Sequence, residues 1–215
     1  MSHRHLKPTL LPLGDQALLI RYGDSLSDSA NLAAVAMARR LEARPLAGVS
    51  EVAPGLVSVL LTLSPGTDFS RLRGELMMMA DHDEEAPTST EWPVPIVFDG
   101  EDLGNVAAQL HLSEQEFIAR HNGVPLRVLA TGFAPGFVYC GFHDDDLVVP
   151  RRDAVRPLVS AGTVLFAAGQ TAIAATPIRT GWHVIGRTTF HNFDTAVDPP
   201  TRLRAGDRVL FSAAS

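Results

Sequence analysis

The chain has 215 residues and a formal net charge of −6. This length suits one large domain or two modest ones. The acidic balance argues against a nucleic-acid or anionic-membrane partner, since both bind basic surfaces. Lys7 is the only lysine, which excludes a Schiff-base or Walker-A lysine from the rest of the chain, so that a bound anion would have to be met by arginine or backbone N–H groups. The single cysteine, Cys140, permits no internal disulfide. We find no signal-peptide core and no apolar run of the roughly 20 residues that a membrane helix needs. We therefore expect a cytoplasmic protein.

Residues 1–86 are predicted to form a small α+β domain. "TLLPLGDQALLIRYG" predicts two short strands about a turn at Gly14, and "VSEVAPGLVSVLLTL" predicts two more that meet at Pro54. "SDSANLAAVAMARRLEA", with Ser27 as its N-cap, and "DFSRLRGELMMMA" predict helices. The order strand, helix, hairpin, helix is typical of a ferredoxin-like domain, in which two helices pack on one face of an antiparallel sheet.

The strongest change in composition is "ADHDEEAPTSTEWPVP", Ala80 to Pro95, which is acidic and then rich in Pro, Ser and Thr. Because it has no apolar period, we interpret it as a linker, centred on residues 87–91, with a second domain over residues 92–215.

The second domain is predicted to open with the strand "PIVFDG" and two short helices, "LGNVAAQL" and "EQEFIARH". Ser113 and Glu116 predict a capping box at the second helix, and Asn122-Gly123 predicts its end. From Leu126 onward, short apolar stretches separated by Gly, Pro or Asp predict a closed or nearly closed β-barrel. The helical pair superficially resembles a helix-turn-helix, but an acidic first turn at Glu114 and Glu116 would repel phosphate, so we favour a pair that covers the barrel.

For two candidate sites we favour a purely structural interpretation over a functional one. His143 followed by three aspartates offers cation ligands, yet adjacent loop side chains diverge, and a solvated acidic turn explains them as well; we therefore expect no metal. Cys140 with His143 or His183 offers a nucleophile and a base, but a lone cysteine in an apolar stretch is more often a small buried hydrophobe.

An arginine group leaves two interpretations open. Arg151, Arg152, Arg156, Arg179 and Arg187 fall close together in the sequence. Together with nearby amide and hydroxyl donors, they are the groups that a carboxylate, a phosphate or an amide-bearing ligand requires. The alternative is that they form weak surface ion pairs with the aspartates of the same region, Asp153, Asp194, Asp198 and Asp207.

The motifs "GFAPGFVYCG", "PRRDAVRPLVSAGTV", "GQTAI", "GWHVIGRT" and "LRAGDRVLF", in this order, resemble the 5-oxoprolinase B-subunit family, also called allophanate hydrolase subunit 1 or the KipI kinase-inhibitor family. "LPLGDQALLIRYGD" and "HLSEQEFIARHN" fit as well, so the resemblance covers nearly the whole chain. It implies an α+β fold, with a small N-terminal domain followed by a cyclophilin-like β-barrel.

The resemblance also implies partners and chemistry. The A, B and C subunits of the family's 5-oxoprolinase, the last also called allophanate hydrolase subunit 2, together open 5-oxoproline to glutamate at the expense of ATP. We expect ATP to be a substrate of the complex. Because this chain has no P-loop, either its handling of ATP is unconventional or another subunit binds ATP, and we expect no metal or biotin bound directly to this chain. A homodimer through the N-terminal domain also stays open.

Carried over by position, the family's motifs assign catalytic roles to Arg187 and Gln170. They assign substrate binding to Phe133, Phe137, Tyr139, Arg151, Arg156, Thr171, Trp182 and Thr188. On this interpretation Arg151 and Arg187 stabilise charge that develops on the lactam oxygen, and Gln170 with Thr171 holds the amide or carboxylate. The glycines of "TGFAPGFVYCGF" then bend the chain at barrel corners, since no helix N-terminus or lysine follows to complete a phosphate cradle.

The chain departs from the family's usual motifs at Ala174, Ala175, Thr180, Phe142 and His143, which puts the substrate in doubt. Two alternatives to the oxoprolinase role therefore stay open. One is a KipI-like regulator that inhibits a sensor histidine kinase, and the other is a carboxyltransferase-like half of a urea amidolyase or allophanate hydrolase.

Overall fold

The computed structural model describes residues 6–80 and 89–214. The chain divides into two compact units, Met1–Thr88 and Ser89–Ser215. Among the described residues, no helix is both long enough and apolar enough to cross a membrane.

The first unit contains two helices and four strands among its described residues. They are β1 Thr9–Pro12, β2 Ala17–Arg21, α1 Asp28–Ala43, β3 Val49–Pro54, β4 Ser58–Leu63 and α2 Phe69–Ala80. Ser27 caps α1 as predicted, because its side-chain oxygen accepts a hydrogen bond from the N–H of Ala30 at 3.3 Å. The two predicted hairpins are confirmed as the pairs β1–β2 and β3–β4.

All pairs of this sheet are antiparallel, in the order β1-β2-β4-β3. Both helices contribute to a core with the sheet, in which Met37 of α1 and Leu72 of α2 join Ile20 and Leu61. The ferredoxin-like order is not confirmed. A β-α-β-β-α-β unit has one strand before its first helix and one strand after its second helix. Here β1 and β2 both precede α1 and pair with each other, and no described strand of this sheet follows α2.

The second unit contains two short helices and nine strands among its described residues. They are β5 Glu91–Ile96, α3 Leu103–Gln109, α4 Glu114–His121, β6 Leu126–Thr131, β7 Val138–Gly141, β8 Arg156–Val159, β9 Thr163–Ala167, β10 Gln170–Ile173, β11 Ile178–Thr180, β12 His183–Arg187 and β13 Arg208–Ala213. The predicted capping box of α4 is confirmed: the Ser113 hydroxyl accepts from the N–H of Glu116 at 3.2 Å, and the Glu116 carboxylate accepts from the N–H of Ser113 at 2.8 Å.

Seven of these strands form one curled sheet in the order β12-β9-β10-β7-β6-β13-β5, while β8 and β11 form a separate two-stranded sheet. The predicted barrel is thus observed as a half-barrel, and its cyclophilin-like character stays a prediction. The free side of β12 is covered by the segment that follows β5. Val97 and Arg187 exchange two backbone hydrogen bonds of 2.9 and 3.0 Å, and the N–H of Asp102 donates to the carbonyl of Val184 at 3.0 Å.

This covering segment approaches β12 closely because two glycines leave room for it. A Cβ atom on Gly186 would lie 2.3 Å from the carbonyl oxygen of Val97. A Cβ atom on Gly100 would lie 2.3 Å from the carbonyl oxygen of Val184. Since real Cβ atoms do not approach backbone this closely, both positions require glycine.

The C-terminal part of the predicted linker is wrong. Glu91 begins β5, and Pro93 and Pro95 lie within that strand, parallel to β13. A strand with two prolines is tolerated because β5 is at the edge of the sheet, where one side of its backbone needs no ladder partner. Residues 81–88 of that prediction lie outside the described residues.

Side chains on the two faces of the curled sheet form two cores. Val164 and Phe166 of β9 point into the larger core, together with residues of α3 and α4. Leu165 and Ala167, which alternate with them, point to the opposite face, where Val159 of β8 joins a second cluster. Burial on both faces explains the continuous apolar character of this strand.

Candidate functional site

Four aromatic side chains of the family motifs lie in a row on the face of the sheet that β8 and β11 cover. Ring centroids are 5.4 Å apart for Phe133 and Phe137, 4.8 Å for Phe137 and Tyr139, and 5.9 Å for Tyr139 and Trp182, all edge to face. The row is buried at Trp182, which is 7% exposed, and ends in solvent at Phe133, which is 74% exposed. Alternation along β7 places Phe137 and Tyr139 on this face, whereas Cys140 lies in the larger core.

Arg151 continues this row beyond Trp182. Its guanidinium carbon lies 5.7 Å from the centroid of the Trp182 ring, within the range of a cation–π interaction. Among the described residues, no carboxylate lies within ion-pair distance of Arg151. Burial raises the pKa of Tyr139, and the charge of Arg151 partly opposes that shift. The structure therefore brings Phe133, Phe137, Tyr139, Trp182 and Arg151 together, as the motifs predicted, and their contact with substrate stays a prediction.

A buried carboxylate lies next to this group. Asp102 precedes α3, is 7% exposed, and accepts hydrogen bonds from three sources. The N–H of Val184 donates to it at 2.8 Å, Nη2 of Arg156 donates at 2.9 Å, and Nη1 of Arg152 binds its other oxygen. Arg156 also pairs with the more exposed Glu101, at 2.6 Å. Asp102 thus ties the start of α3 to β12 and to the arginine-rich segment, an arrangement that we call the Asp102 clamp.

Opposing effects set the ionisation of the clamp. Burial by itself would raise the pKa of Asp102. The N–H of Val184 and the guanidiniums of Arg156 and Arg152 together outweigh that effect and hold the pKa below its ordinary value. Asp102 is therefore a carboxylate at neutral pH, and one of the two arginine charges is neutralised inside the clamp.

A pocket of about 430 Å³ opens beside the clamp. Its wall is formed by Asp102, Asn105, Gln109, Pro150, Arg151, Arg152, Asp153, Ala154 and His183. His183 is 4% exposed, and its Nε2–H donates to the carbonyl of Pro150 at 3.0 Å. Its Nδ1 is buried without a hydrogen-bond partner among the described residues. The wall thus presents a cation, side-chain amides and an unsatisfied buried nitrogen to a ligand.

Other residues that the motifs assigned to the site lie elsewhere. The Arg187 side chain is 68% exposed and pairs with Asp99, from Nε to Oδ2, at 2.6 Å. Gln170 and Thr171 are successive residues of β10, so their side chains point to opposite faces of the sheet. The Thr188 hydroxyl accepts from the N–H of Phe190 at 3.1 Å, as in a local turn. None of these four residues lines the pocket beside Arg151, and their proposed catalytic or binding roles stay predictions.

Thr171 belongs to a buried hydrogen-bond chain in the larger core. Its hydroxyl oxygen lies 2.8 Å from Nε2 of His121 and 2.8 Å from Nε2 of His143, and Nδ1 of His121 lies 2.8 Å from Oδ1 of Asn122. If His121 donates to Asn122, it accepts from the Thr171 hydroxyl, which in turn accepts from His143. Each group then has a consistent role with both rings neutral.

Burial keeps these rings neutral. It lowers the pKa of His121 to about 4, against a smaller opposing effect of Asn122. Burial, together with a smaller effect of the neighbouring His121, lowers the pKa of His143 to about 3. Thr171 therefore links two neutral imidazoles in the core.

The two remaining candidates are Cys140 and the acidic turn after His143. Cys140 is buried in the larger core, and burial raises the pKa of its thiol well above the usual range, which disfavours a thiolate nucleophile. Asp144 and Asp146 form an exposed acidic turn that pairs with Arg120. Within residues 6–80 and 89–214, no three His, Cys, Asp or Glu side chains cluster as metal ligands would.

Three of the five arginines, Arg152, Arg156 and Arg187, form ion pairs with described residues, but not with the predicted aspartates. Their partners are Asp99, Glu101 and Asp102, which precede α3. Sequence reasoning missed Asp102 because an aspartate at the start of a helix is ordinarily interpreted as a cap, and here its side chain makes no capping bond. It also missed the role of His183, whose partner is a backbone carbonyl.

Comparisons with known proteins agree with the motif order. Residues 8–203 match the model of the carboxyltransferase domain, subdomain C and D. The B subunit of 5-oxoprolinase from Bacillus subtilis (strain 168) is 32% identical over 217 residues, which cover 93% of this chain and 90% of that protein.

Two solved structures are similar in fold. The structure of TTHA0988 superposes with a TM-score of 0.83 and 32% identity, and the match covers 93% of this chain. It covers 40% of TTHA0988, so the chain spans about two fifths of that protein. The K. lactis urea amidolyase has a TM-score of 0.74 over 98% of this chain and 15% of its own length, and at 15% identity it is similar in fold alone.

Proposed function

Since the chain belongs to the carboxyltransferase-domain family, subdomain C and D, we propose that it is the B subunit of a 5-oxoprolinase complex. The observation that supports this most strongly is the 32% identity, over 93% of the chain, to a protein named as the B subunit of 5-oxoprolinase. The name of that relative implies further subunits, and we propose that this chain assembles with homologues of the A and C subunits in the cytoplasm.

The proposed reaction is the ATP-dependent opening of 5-oxoproline to glutamate. Activation of the lactam by phosphorylation develops negative charge on the amide oxygen, which cationic groups held in place beforehand stabilise. Arg151 supplies a positive charge that attracts the substrate, because it lies over the Trp182 ring and no described carboxylate neutralises it. We propose that a different chain of the complex binds ATP, and that this chain binds neither a metal nor biotin.

Arg187 and Gln170 have a different place in the proposal. The Arg187 side chain is highly exposed and pairs with Asp99, so a partner chain can reach its guanidinium and complete a site around it. An exposed ion pair of this kind contributes little to stability. The role of Arg187 is therefore better tested by activity than by unfolding.

The test is reconstitution with homologues of the A and C subunits from the same source, followed by assays of ATP hydrolysis and glutamate formation with and without 5-oxoproline. We expect ATP hydrolysis that 5-oxoproline stimulates and that requires all three chains. The result against the proposal is a stable complex whose ATP hydrolysis ignores 5-oxoproline. Stimulation by a biotin-linked carboxyl donor would favour the carboxyltransferase alternative, and capture of a histidine kinase without any such complex would favour the regulatory one.

A further inference from the structure

The pocket beside the Asp102 clamp has one cation that is held in place and available to a ligand. The Arg151 guanidinium lies over the face of Trp182, and the Trp182 ring is in turn held by its edge contact with Tyr139. Arg151 is exposed, and its N–H edge has no hydrogen-bond partner among the described residues, so it is available to a ligand. That edge matches a carboxylate, which it binds through two parallel hydrogen bonds.

The neighbouring arginine does not compete for the ligand. Arg152 binds the buried Asp102, so its charge is already balanced within the clamp. An anion in the pocket therefore meets one uncompensated positive charge, that of Arg151. Asp153, which also lines the pocket, is exposed and has no ionic partner among the described residues. Its charge disfavours a dianion such as phosphate and favours a ligand with one carboxylate and a separate N–H donor.

The wall formed by α3 provides amide groups. Asn105 and Gln109 are four residues apart on the helix, both line the pocket, and Nε2 of Gln109 lies 3.4 Å from Oδ1 of Asn105. Side-chain amides present donors and acceptors together, which is what the N–H and C=O of a ligand amide require. The volume of about 430 Å³ lies in the range of small-molecule sites.

The geometry points to a binding site for a small cyclic amide that carries one carboxylate, with Arg151 holding the carboxylate and Asn105 contacting the amide. The inference deepens the proposed function, on which the choice of 5-oxoproline as the probe rests. It assigns substrate recognition to α3 and to the 150–154 segment, and it gives Asp102 the role of a positioning residue that balances Arg152 and leaves Arg151 to select the ligand.

The test measures binding of three probes to the full chain by calorimetry or NMR titration. 5-Oxoproline has both groups, 2-pyrrolidinone lacks the carboxylate, and cyclopentanecarboxylate lacks the amide. We expect 5-oxoproline to bind at least about tenfold more tightly than either analogue, since a charge-assisted hydrogen bond of ordinary strength corresponds to about that factor. Arg151→Ala weakens 5-oxoproline binding about tenfold or more, and Asn105→Ala reduces the preference over cyclopentanecarboxylate. Arg179 is an exposed arginine on β11 outside the pocket, and the control variant Arg179→Ala should bind 5-oxoproline as tightly as the wild type.

Several results would overturn the site. They are no binding of 5-oxoproline by the wild-type chain at millimolar concentration, equal binding by the wild type and a folded Arg151→Ala variant, or tighter binding of zwitterionic proline than of 5-oxoproline. The two proposals fail separately. A reconstituted complex that is active, with an unchanged KM for 5-oxoproline in Arg151→Ala, refutes the site and keeps the function. Binding that depends on Arg151, in a chain whose complex is not stimulated by 5-oxoproline, keeps the site and refutes the function.

Discussion

Substitution of Asp102 by asparagine removes one charge at the centre of the clamp and changes little else in size. The asparagine oxygen can still accept from the N–H of Val184, but Arg152 and Arg156 lose their buried counter-charge. Breaking a buried ion pair costs about 3–5 kcal/mol. The two arginine side chains are 27% and 18% exposed, so water replaces part of the loss and we expect about 3 kcal/mol. For a unit of this size that corresponds to a fall in Tm of about 10 °C.

The pH dependence of this loss tests its origin. The folded-state pKa of Asp102 is lowered, so its contribution is fully present above the unfolded-state pKa of about 4 and is lost as the pH falls through the lower folded-state value. Denaturant unfolding of wild type and Asp102→Asn at several pH values should show a constant difference from about pH 5 to 7 that shrinks in acid. Asp153→Asn, an exposed aspartate of the same region, is the control and should change stability by less than about 0.5 kcal/mol. A loss below about 1 kcal/mol for Asp102→Asn, or one independent of acid pH, would refute the argument.

Three further predictions concern other parts of the second unit. Burial depresses the pKa of His121 to about 4 and that of His143 to about 3, so below about pH 6.5 the unfolded chain binds more protons than the folded chain. The free energy of unfolding should therefore fall by about 2–4 kcal/mol between pH 7 and pH 5. A His143→Gln variant whose free energy of unfolding, measured with denaturant, falls equally steeply with pH would contradict this. Gly186→Ala places a methyl group 2.3 Å from the carbonyl oxygen of Val97 and should cost at least about 2 kcal/mol in the same assay; an unchanged midpoint would contradict the close approach. Arg187→Ala should change stability by less than about 1 kcal/mol yet lower the 5-oxoproline-stimulated ATP hydrolysis of the complex, and unchanged turnover would remove that arginine from the proposed chemistry.

Local signals in the sequence were sufficient for the elements whose contacts are local. Ser27 and the Ser113–Glu116 box mark helix starts through bonds that span three residues. The hairpins of the first unit also follow from alternation and turn residues. The predicted strand "PIVFDG" shares only Pro95 and Ile96 with β5. The start of β5 at Glu91 could not be predicted, because its partner β13 lies more than a hundred residues away and the pairing is parallel. The prolines at 93 and 95 are ordinarily signs of a linker, and only the position of the strand at the sheet edge makes them compatible with pairing.

Only part of the candidate site was predicted, because only part of it is formed by residues that are close in the sequence. Aromatic residues and Arg151 appear in motifs close in sequence, and alternation along β7 explains why Phe137 and Tyr139 share a face. Alternation along β10 likewise separates Gln170 from Thr171, which the motif assignment had placed together. The Asp102 clamp joins residues that are 50 to 82 positions apart in the sequence, so no local sequence pattern predicts it.

The proposed function of this chain is that of the B subunit of a 5-oxoprolinase. Its most direct test is the rate of ATP hydrolysis by the complex reconstituted with homologues of the A and C subunits, measured with and without 5-oxoproline, and with this chain present or omitted. We expect 5-oxoproline to stimulate ATP hydrolysis, with glutamate as the product, only when this chain is present. Equal ATP hydrolysis with and without 5-oxoproline in a stable three-chain complex would contradict it.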